Sequence, residues 1–264
     1  MRLSLYQVDA FADRLFSGNP AAVVPLDEWL PPETMQAIAT ENNLSETAFF
    51  VREGENYALR WFTPAVEVEL CGHATLASAY VILRLLEPGR QRVNFRTLQS
   101  GMLTVTREGE GEGLAMDFPV WLSEPSPLPP DLPAALGATP VETHRRGHLI
   151  LAVFARAEEV AALKPDFGAL KRPPATSVLV TAPGKDGIDF VSRYFAPAFG
   201  IDEDPVTGST HCLLTPYWSK RLGKTRLEAR QISRRGGALS CTLNGDRVTL
   251  AGRCTLYLEG TITV

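Results

Sequence analysis

Residues 73–89, HATLASAYVILRLLEPG, read as a helix that is apolar almost all round and is closed by Pro88 and Gly89. A helix without a polar face must be covered by protein on every side, and a sheet wrapped about it does that. The flanking sequence supplies the sheet: RLSLYQVDAF, TAFFV, YALRWFT, VNFRTL and MLTVTREGEGEGLAMDF are short runs rich in aromatic and branched residues, separated by Gly, Pro or charged turns. A second helix, PPETMQAIATEN, starts on proline and keeps Met35, Ile38 and Ala39 on one side. The first half of the chain reads as strands around one buried helix.

The second half repeats the first. RWFTPAV from Arg60 aligns with RYFAPAF from Arg193, and a little further on each copy reaches a glycine that opens a helix, Gly72-His73 and Gly208-Ser209. Each helix ends near an Arg-Leu pair, and each is followed by Gln, Gly and an alternating strand, QSGMLTV in one copy and Gln231 with GALSCTL in the other. Around these landmarks lie HLILAVFA, a helical EEVAALKPDF, SVLVTA, DFVSRYFAP, the helix STHCLLTPYWSKRLG, and terminal strands with a hairpin signal at Asn244-Gly245. Residues 119–140, PVWLSEPSPLPPDLPAALGATP, carry seven prolines and read as a connector. The expected fold is α+β: two pseudo-symmetric β-barrel-like domains, each wrapped around a central helix. They are residues 1–118 and 119–253, with the last strand, 254–264, available to return to the first.

Composition narrows the partners. The 264-residue chain is 45% apolar, enough for a real core, and its net charge of −4 gives no overall attraction to nucleic acid or anionic lipid. The longest greasy run, Ala74 to Leu86, is too short to span a bilayer, and MRLSLYQVDAFADR has neither the apolar core nor the cleavage site of a signal peptide. The expectation is a cytoplasmic protein with a small-molecule partner. Cys71, Cys212, Cys241 and Cys254 fall singly, so the spacing indicates reduced thiols rather than a zinc site or a disulfide framework. GEGEG at 109–113 reads as a hairpin tip and APGKDG lacks the features of a phosphate loop, so no nucleotide cofactor site is expected. The stretch from Lys220 to Arg235 holds seven Lys or Arg without interleaved aromatics, a solvated face from which one Arg could reach a substrate carboxylate.

Two helix N-termini, each with unsatisfied N–H groups and a partial positive charge, would suit a carboxylate or a developing enolate if they faced each other across a cleft. Proton-transfer groups lie nearby in sequence: Glu46 in NNLSETAFF, His73 at the first helix start, and Asp204 with Ser209 in DEDPVTGST. Each has a plainer reading. Glu46 fits a solvated turn, His73 a cap or core position, and Asp202, Glu203 and Asp204 fit acids favoured by a helix dipole or serving as caps. Ser209 fits an ordinary helix-start residue. With only four histidines, His73, His144, His148 and His211, a Ser-His-Asp triad has thin support.

Five ordered motifs, SGNPAAVV, NNLSETAFF, RWFTPAVEVELCGHATLASA, FAPAFGIDEDPVTGSTH and QISRRGG, together resemble the PhzF family of phenazine-biosynthesis-like proteins across essentially the whole chain. The resemblance implies a diaminopimelate-epimerase-type fold, an active site between two similar domains, a homodimer, and no cofactor. The family's best-understood member is a dihydro-hydroxyanthranilate isomerase. By that likeness Glu46 shuttles the proton, His73 and Asp204 assist, Ser209 binds substrate, and Gly72 and Gly208 offer backbone N–H groups. Related amino-acid epimerases use two cysteines, one before each helix-opening glycine. Here those positions hold Cys71 and Thr207, which argues against a symmetric pair. The expected function is a cofactor-independent isomerase moving a proton on a small cyclic carboxylate. The alternatives are an epimerase or dehydratase of a cyclic imino acid using Cys71 and Thr207, and a non-catalytic binding protein.

Overall fold

The computed structural model describes residues 1–109, 113–172 and 177–264, which form two compact units: Met1–Asp117 with Ala251–Val264, and Phe118–Leu250.

The first unit contains β1 (Arg2–Ala10), β2 (Asn19–Leu26), α1 (Pro32–Asn42), β3 (Glu46–Glu53), β4 (Asn56–Phe62), β5 (Glu67–Val68), α2 (Gly72–Tyr80), β6 (Arg92–Arg96), β7 (Met102–Glu108) and most of β8 (Gly113–Pro119). β1 pairs antiparallel with β2, β2 parallel with β3, β3 antiparallel with β4, and β4 parallel with β6. The antiparallel pairs β6–β7 and β7–β8 follow, and the final strand of the chain, Arg247–Thr263, pairs with both β1 and β8. That closes a ring of eight strands. The two parallel pairs need crossover connections, and α1 and α2 provide them.

α2 is the expected buried helix. Every residue from His73 to Ala79 is buried, and the helix continues as a π-helical stretch, Val81–Leu86, whose first three residues are also buried. α1 buries Met35, Ile38 and Ala39 against Phe49 and Phe62 of β3 and β4. Its C-cap, Asn43, takes the left-handed conformation at φ 49°, turning the chain so that Leu44 and Ser45 lead straight into β3.

The second unit contains β9 (Glu124–Pro125), α3 (Leu132–Leu136), β10 (Glu142–Arg146), β11 (Leu149–Val153), α4 (Ala157–Ala162), α5 (Phe167–Leu170), β12 (Ser177–Pro183), β13 (Phe190–Ala196), β14 (Ile201–Asp204), α6 (Gly208–Leu222), β15 (Arg226–Gln231) and β16 (Gly237–Asn244), and the start of β17 (Arg247–Thr263). Its pairing sequence copies the first: β10–β11 antiparallel, β11–β12 parallel, β12–β13 antiparallel, β13–β15 parallel, β15–β16 antiparallel. α6 takes the place of α2. Of its residues Thr210 to Thr215 are all buried, despite a proline at position 216.

The likeness extends to ion pairs. Arg60 of β4 makes a two-pronged pair with Glu67 of β5 at 2.7 and 2.8 Å. Arg193 of β13 makes the equivalent pair with Glu203 of β14 at 2.7 and 2.9 Å.

Two expectations need revision. Asp202, Glu203 and Asp204 are not first-turn acids: they form β14, and α6 starts after Pro205 with no acid in its first turn. A proline there keeps the residue before it extended, and Glu203 is drawn into the arginine pair instead. The proline-rich stretch is not only a connector: α3 begins at Leu132 with Pro133 in its first turn, and it packs Leu132, Ala135 and Leu136 into the core of the second unit. Residues 110–112 of the glycine-rich run lie outside the described residues, although β7 and β8 pair on either side of it up to Glu108 and Gly113.

Candidate active site

In the first unit, neighbouring strand starts and one helix start converge. β2 opens on Asn19 and β3 on Glu46, and the parallel register aligns Ala21 with Glu46. Cys71 caps α2 in an extended conformation and His73 lies in its first turn. His73 Nε2 stands 3.0 Å from Glu46 Oε2, with only 8% and 12% of the two side chains exposed. Neither atom makes a well-directed hydrogen bond, so the contact is chiefly electrostatic. On the other side of the ring, Asn19 Nδ2 lies 3.2 Å from His73 Nδ1 and Cys71 Sγ lies 3.5 Å from it. Ser45 Oγ donates to Asn19 Oδ1 at 3.1 Å.

This set can hold His73 in either charge state. With the Asn19 amide nitrogen facing it, Nδ1 accepts and Nε2 carries the ring proton toward Glu46. With the amide turned over, Oδ1 accepts from an imidazolium and Ser45 serves as acceptor for the amide. Burial opposes charge on His73, yet the Cys71 sulfur and the Glu46 carboxylate outweigh it and raise its pKa well above the ordinary 6.5. Burial likewise pushes Glu46 up, but the charge of the neighbouring His73 and the nearby Cys71 thiol bring its pKa below the ordinary value. Cys71 goes the other way: burial and the adjacent Glu46 charge keep the thiol protonated. Among the described residues, the carboxylate, thiol and imidazole of Glu46, Cys71 and His73 also form a possible metal-ligand set, all within 4.8 Å of one another.

Gly18 holds the front of this site in place. It has φ +74°, and a Cβ on it would stand 2.3 Å from the Ala10 carbonyl oxygen and 2.8 Å from the Ala12 side chain. Only glycine lets the β1–β2 turn close tightly enough to deliver Asn19, which is fully buried.

In the second unit, Asp204, Gly208 and Ser209 come together at the end of β14 and the start of α6. Thr207, the N-cap, makes no side-chain cap bond, because its hydroxyl donates to Asp204 Oδ2. The buried Gln231 locks the pair: its Oε1 accepts the Thr207 N–H at 2.9 Å, and its Nε2 donates to the Asp204 carbonyl at 2.7 Å. Cys71 and Thr207 thus behave alike. Each occupies the cap of a central helix without making a side-chain cap bond: the Cys71 sulfur lies against His73 Nδ1, and the Thr207 hydroxyl goes to Asp204.

The structure therefore gathers Glu46, Gly72 and His73 in one unit and Asp204, Gly208 and Ser209 in the other. Reading the sequence did not assign roles to Asn19, Ser45 or Gln231. Asn19 and Gln231 do fall inside the SGNPAAVV and QISRRGG motifs, which was the available signal. Of the basic stretch, Arg221 is committed to Glu142 at 2.8 Å. Together with Lys220, His144 and Tyr217 these residues line a separate cavity of about 450 Å³ in the second unit.

Comparison with known proteins gives first the class. A solved hydroxyproline epimerase of Agrobacterium vitis superposes with a TM-score of 0.63 over 99% of this chain and 92% of its own, and at 11% identity that shows the fold alone. A solved PhzF-family phenazine biosynthesis protein of Enterococcus faecalis matches with a TM-score of 0.96 at 48% identity over all of both chains. An uncharacterised isomerase of Pseudomonas aeruginosa is 52% identical over 262 residues, 99% of each chain. The protein is an isomerase on the epimerase-type α+β fold. The family model described as phenazine biosynthesis-like protein, PhzC-PhzF, matches residues 8–260, and the chain belongs to that family.

Proposed function

We propose that this isomerase works without a cofactor and moves a proton on a small cyclic carboxylate, with Glu46 as the base. The observation that carries the reading is the buried Glu46–His73 pair. A carboxylate held below its ordinary pKa is ionised at neutral pH and able to accept a proton, while the imidazole beside it balances the charge. Glu46 takes a proton from a carbon next to an unsaturated system and returns it to another position. His73, oriented by Asn19, is the partner in that transfer, and Asp204 assists. Each helix start, Gly72 in the first unit and Gly208 with Ser209 in the second, offers backbone N–H groups suited to an anion, and Ser209 adds a hydroxyl. An acid–base pair of Cys71 and Thr207 is disfavoured, because the thiol is held protonated and the Thr207 hydroxyl is spent on Asp204. The reading includes a homodimer in the cytoplasm, which light scattering and cell fractionation test.

The test of the chemistry is proton NMR in heavy water with candidate cyclic hydroxy and amino acids. Deuterium should enter at one carbon, and Glu46→Gln should slow the entry by roughly 10²–10⁴-fold. Wash-in at an unchanged rate in Glu46→Gln would remove Glu46 from the mechanism. Tight binding with no wash-in at all would favour a binding protein.

A further inference from the structure

Cys71 has no part in the proposed proton transfer, yet it is buried against both groups that do. The cap of α2, the first turn of α2 and the start of β3 bring a thiol, an imidazole and a carboxylate to one point. Their ligand atoms all lie within 4.8 Å of one another. Around a tetrahedral zinc ion, bonds of about 2.3 Å to sulfur and about 2.0–2.2 Å to nitrogen and oxygen place neighbouring ligand atoms roughly 3.3–3.7 Å apart. The nitrogen for the metal is Nε2, which already stands 3.0 Å from Glu46 Oε2, while Nδ1 on the other side of the ring keeps Asn19 as its partner. Glu46 Oε2 and His73 Nε2 are both buried and lack a directed hydrogen bond, so polar capacity remains at the cluster.

The donor set also selects the ion. Thiolate, imidazole and carboxylate together suit zinc, whereas magnesium and calcium prefer oxygen alone. One thiolate and one carboxylate match the two positive charges. Asn19 and Ser45, hydrogen-bonded in series behind the ring, form the outer support that a metal-bound histidine usually has.

We propose that Glu46, Cys71 and His73 form a zinc-binding site, through which zinc ion inhibits the enzyme. As the zinc–sulfur and zinc–nitrogen bonds form, the Cys71 S–H bond and the His73 Nε2–H bond break and both protons pass to buffer; nothing is oxidised or reduced. The inhibition rests on the function proposed above, since the ion occupies the carboxylate that would take the substrate proton. The binding does not.

The experiment separates the two. Metal-free protein is titrated with cobalt(II) as a spectroscopic stand-in, then with zinc. A near-ultraviolet thiolate-to-cobalt band should grow to one equivalent and be bleached by one equivalent of zinc. Cys71→Ser should abolish it, and His73→Ala should weaken cobalt binding at least tenfold, which serves equally if Cys71→Ser does not fold. Absence of the band in the wild-type protein, or its persistence at full strength in a folded Cys71→Ser or His73→Ala protein, would overturn the site. If the band appears but no substrate ever exchanges, the functional reading fails and the metal site stands. If the band appears and zinc leaves deuterium exchange unchanged, the inhibition is refuted.

Discussion

Glu46 and His73 face each other at 3.0 Å inside the first unit with their pKa values displaced in opposite directions, Glu46 down and His73 up. A lowered carboxylate contributes stability that is present above its ordinary 4.5 and lost as pH falls through the folded value. A raised histidine contributes stability that is present below its ordinary 6.5 and lost as pH rises through the folded value. Both contributions are complete between those limits. Glu46→Gln should therefore be most destabilising near pH 5.5 and progressively less so in alkaline solution, as followed by urea unfolding. A cost that stays flat from acid to alkali would mean that the pair is not ionised.

Gly18→Ala should be strongly destabilising for its size. The new methyl would meet the Ala10 carbonyl at 2.3 Å in a backbone conformation that alanine resists. Strain of this kind costs on the order of 1–3 kcal/mol. Because the same turn delivers Asn19 to His73, the His73 ring resonances should shift in NMR spectra as well. Gly101→Ala is the control. It also has positive φ, but nothing lies within 4 Å of its Cβ position, so its cost should be smaller and His73 should not respond.

His211 should make the protein sensitive to mild acid. The ring is fully buried, its Nδ1–H donates to the Thr207 carbonyl at 2.8 Å, and burial lowers its pKa to about 4. An unfolded chain binds a proton there near 6.5 while the folded one does not, so stability falls as pH drops from 6.5 toward about 4. At about 1.4 kcal/mol per unit, the loss is about 3 kcal/mol. His211→Gln should flatten that part of the stability–pH curve, whatever its effect at neutral pH. An unaltered slope would show that another group carries it.

The two repeat arginines should differ in value. Arg193 not only pairs with Glu203 but also donates through Nη1 to the carbonyls of Val160 and Leu163, at 3.1 and 3.0 Å, and Glu203 is the less exposed of the two acids, at 18% against 33% for Glu67. Arg193→Ala leaves a half-buried carboxylate and two carbonyls without their donor, and should cost about 3 kcal/mol or more. Arg60→Ala should cost less, nearer the range of partly exposed pairs at about 1 kcal/mol. Thermal melts of the two variants give the order directly, and equal losses would contradict it.

Much of this architecture is legible along the chain because it depends on local periodicity. Ala74 to Leu86 has no polar face, so it must be enclosed; the strands around it announce themselves by branched and aromatic residues. The repeat of RWFTPAV in RYFAPAF, with a helix-opening glycine after each, marks two equivalent units, and the order of strand pairing in each bears this out. The sequence by itself also brought Glu46, His73, Asp204 and Ser209 forward as candidates. What it could not contain is which polar side chains meet. Asn19 reaches His73, Gln231 reaches Asp204 and Thr207, and Glu203 leaves the helix start for Arg193, all through the register of strands far apart in sequence. The same holds for charge. Cys71 lies two residues from His73 and stands where the related epimerases carry an acid–base cysteine, but burial keeps its proton on, while the Glu46 carboxylate, 25 positions upstream of it, favours the charged form of His73. Local pattern decides which face of an element is apolar; only three-dimensional packing decides how much water and which opposite charge each buried group retains.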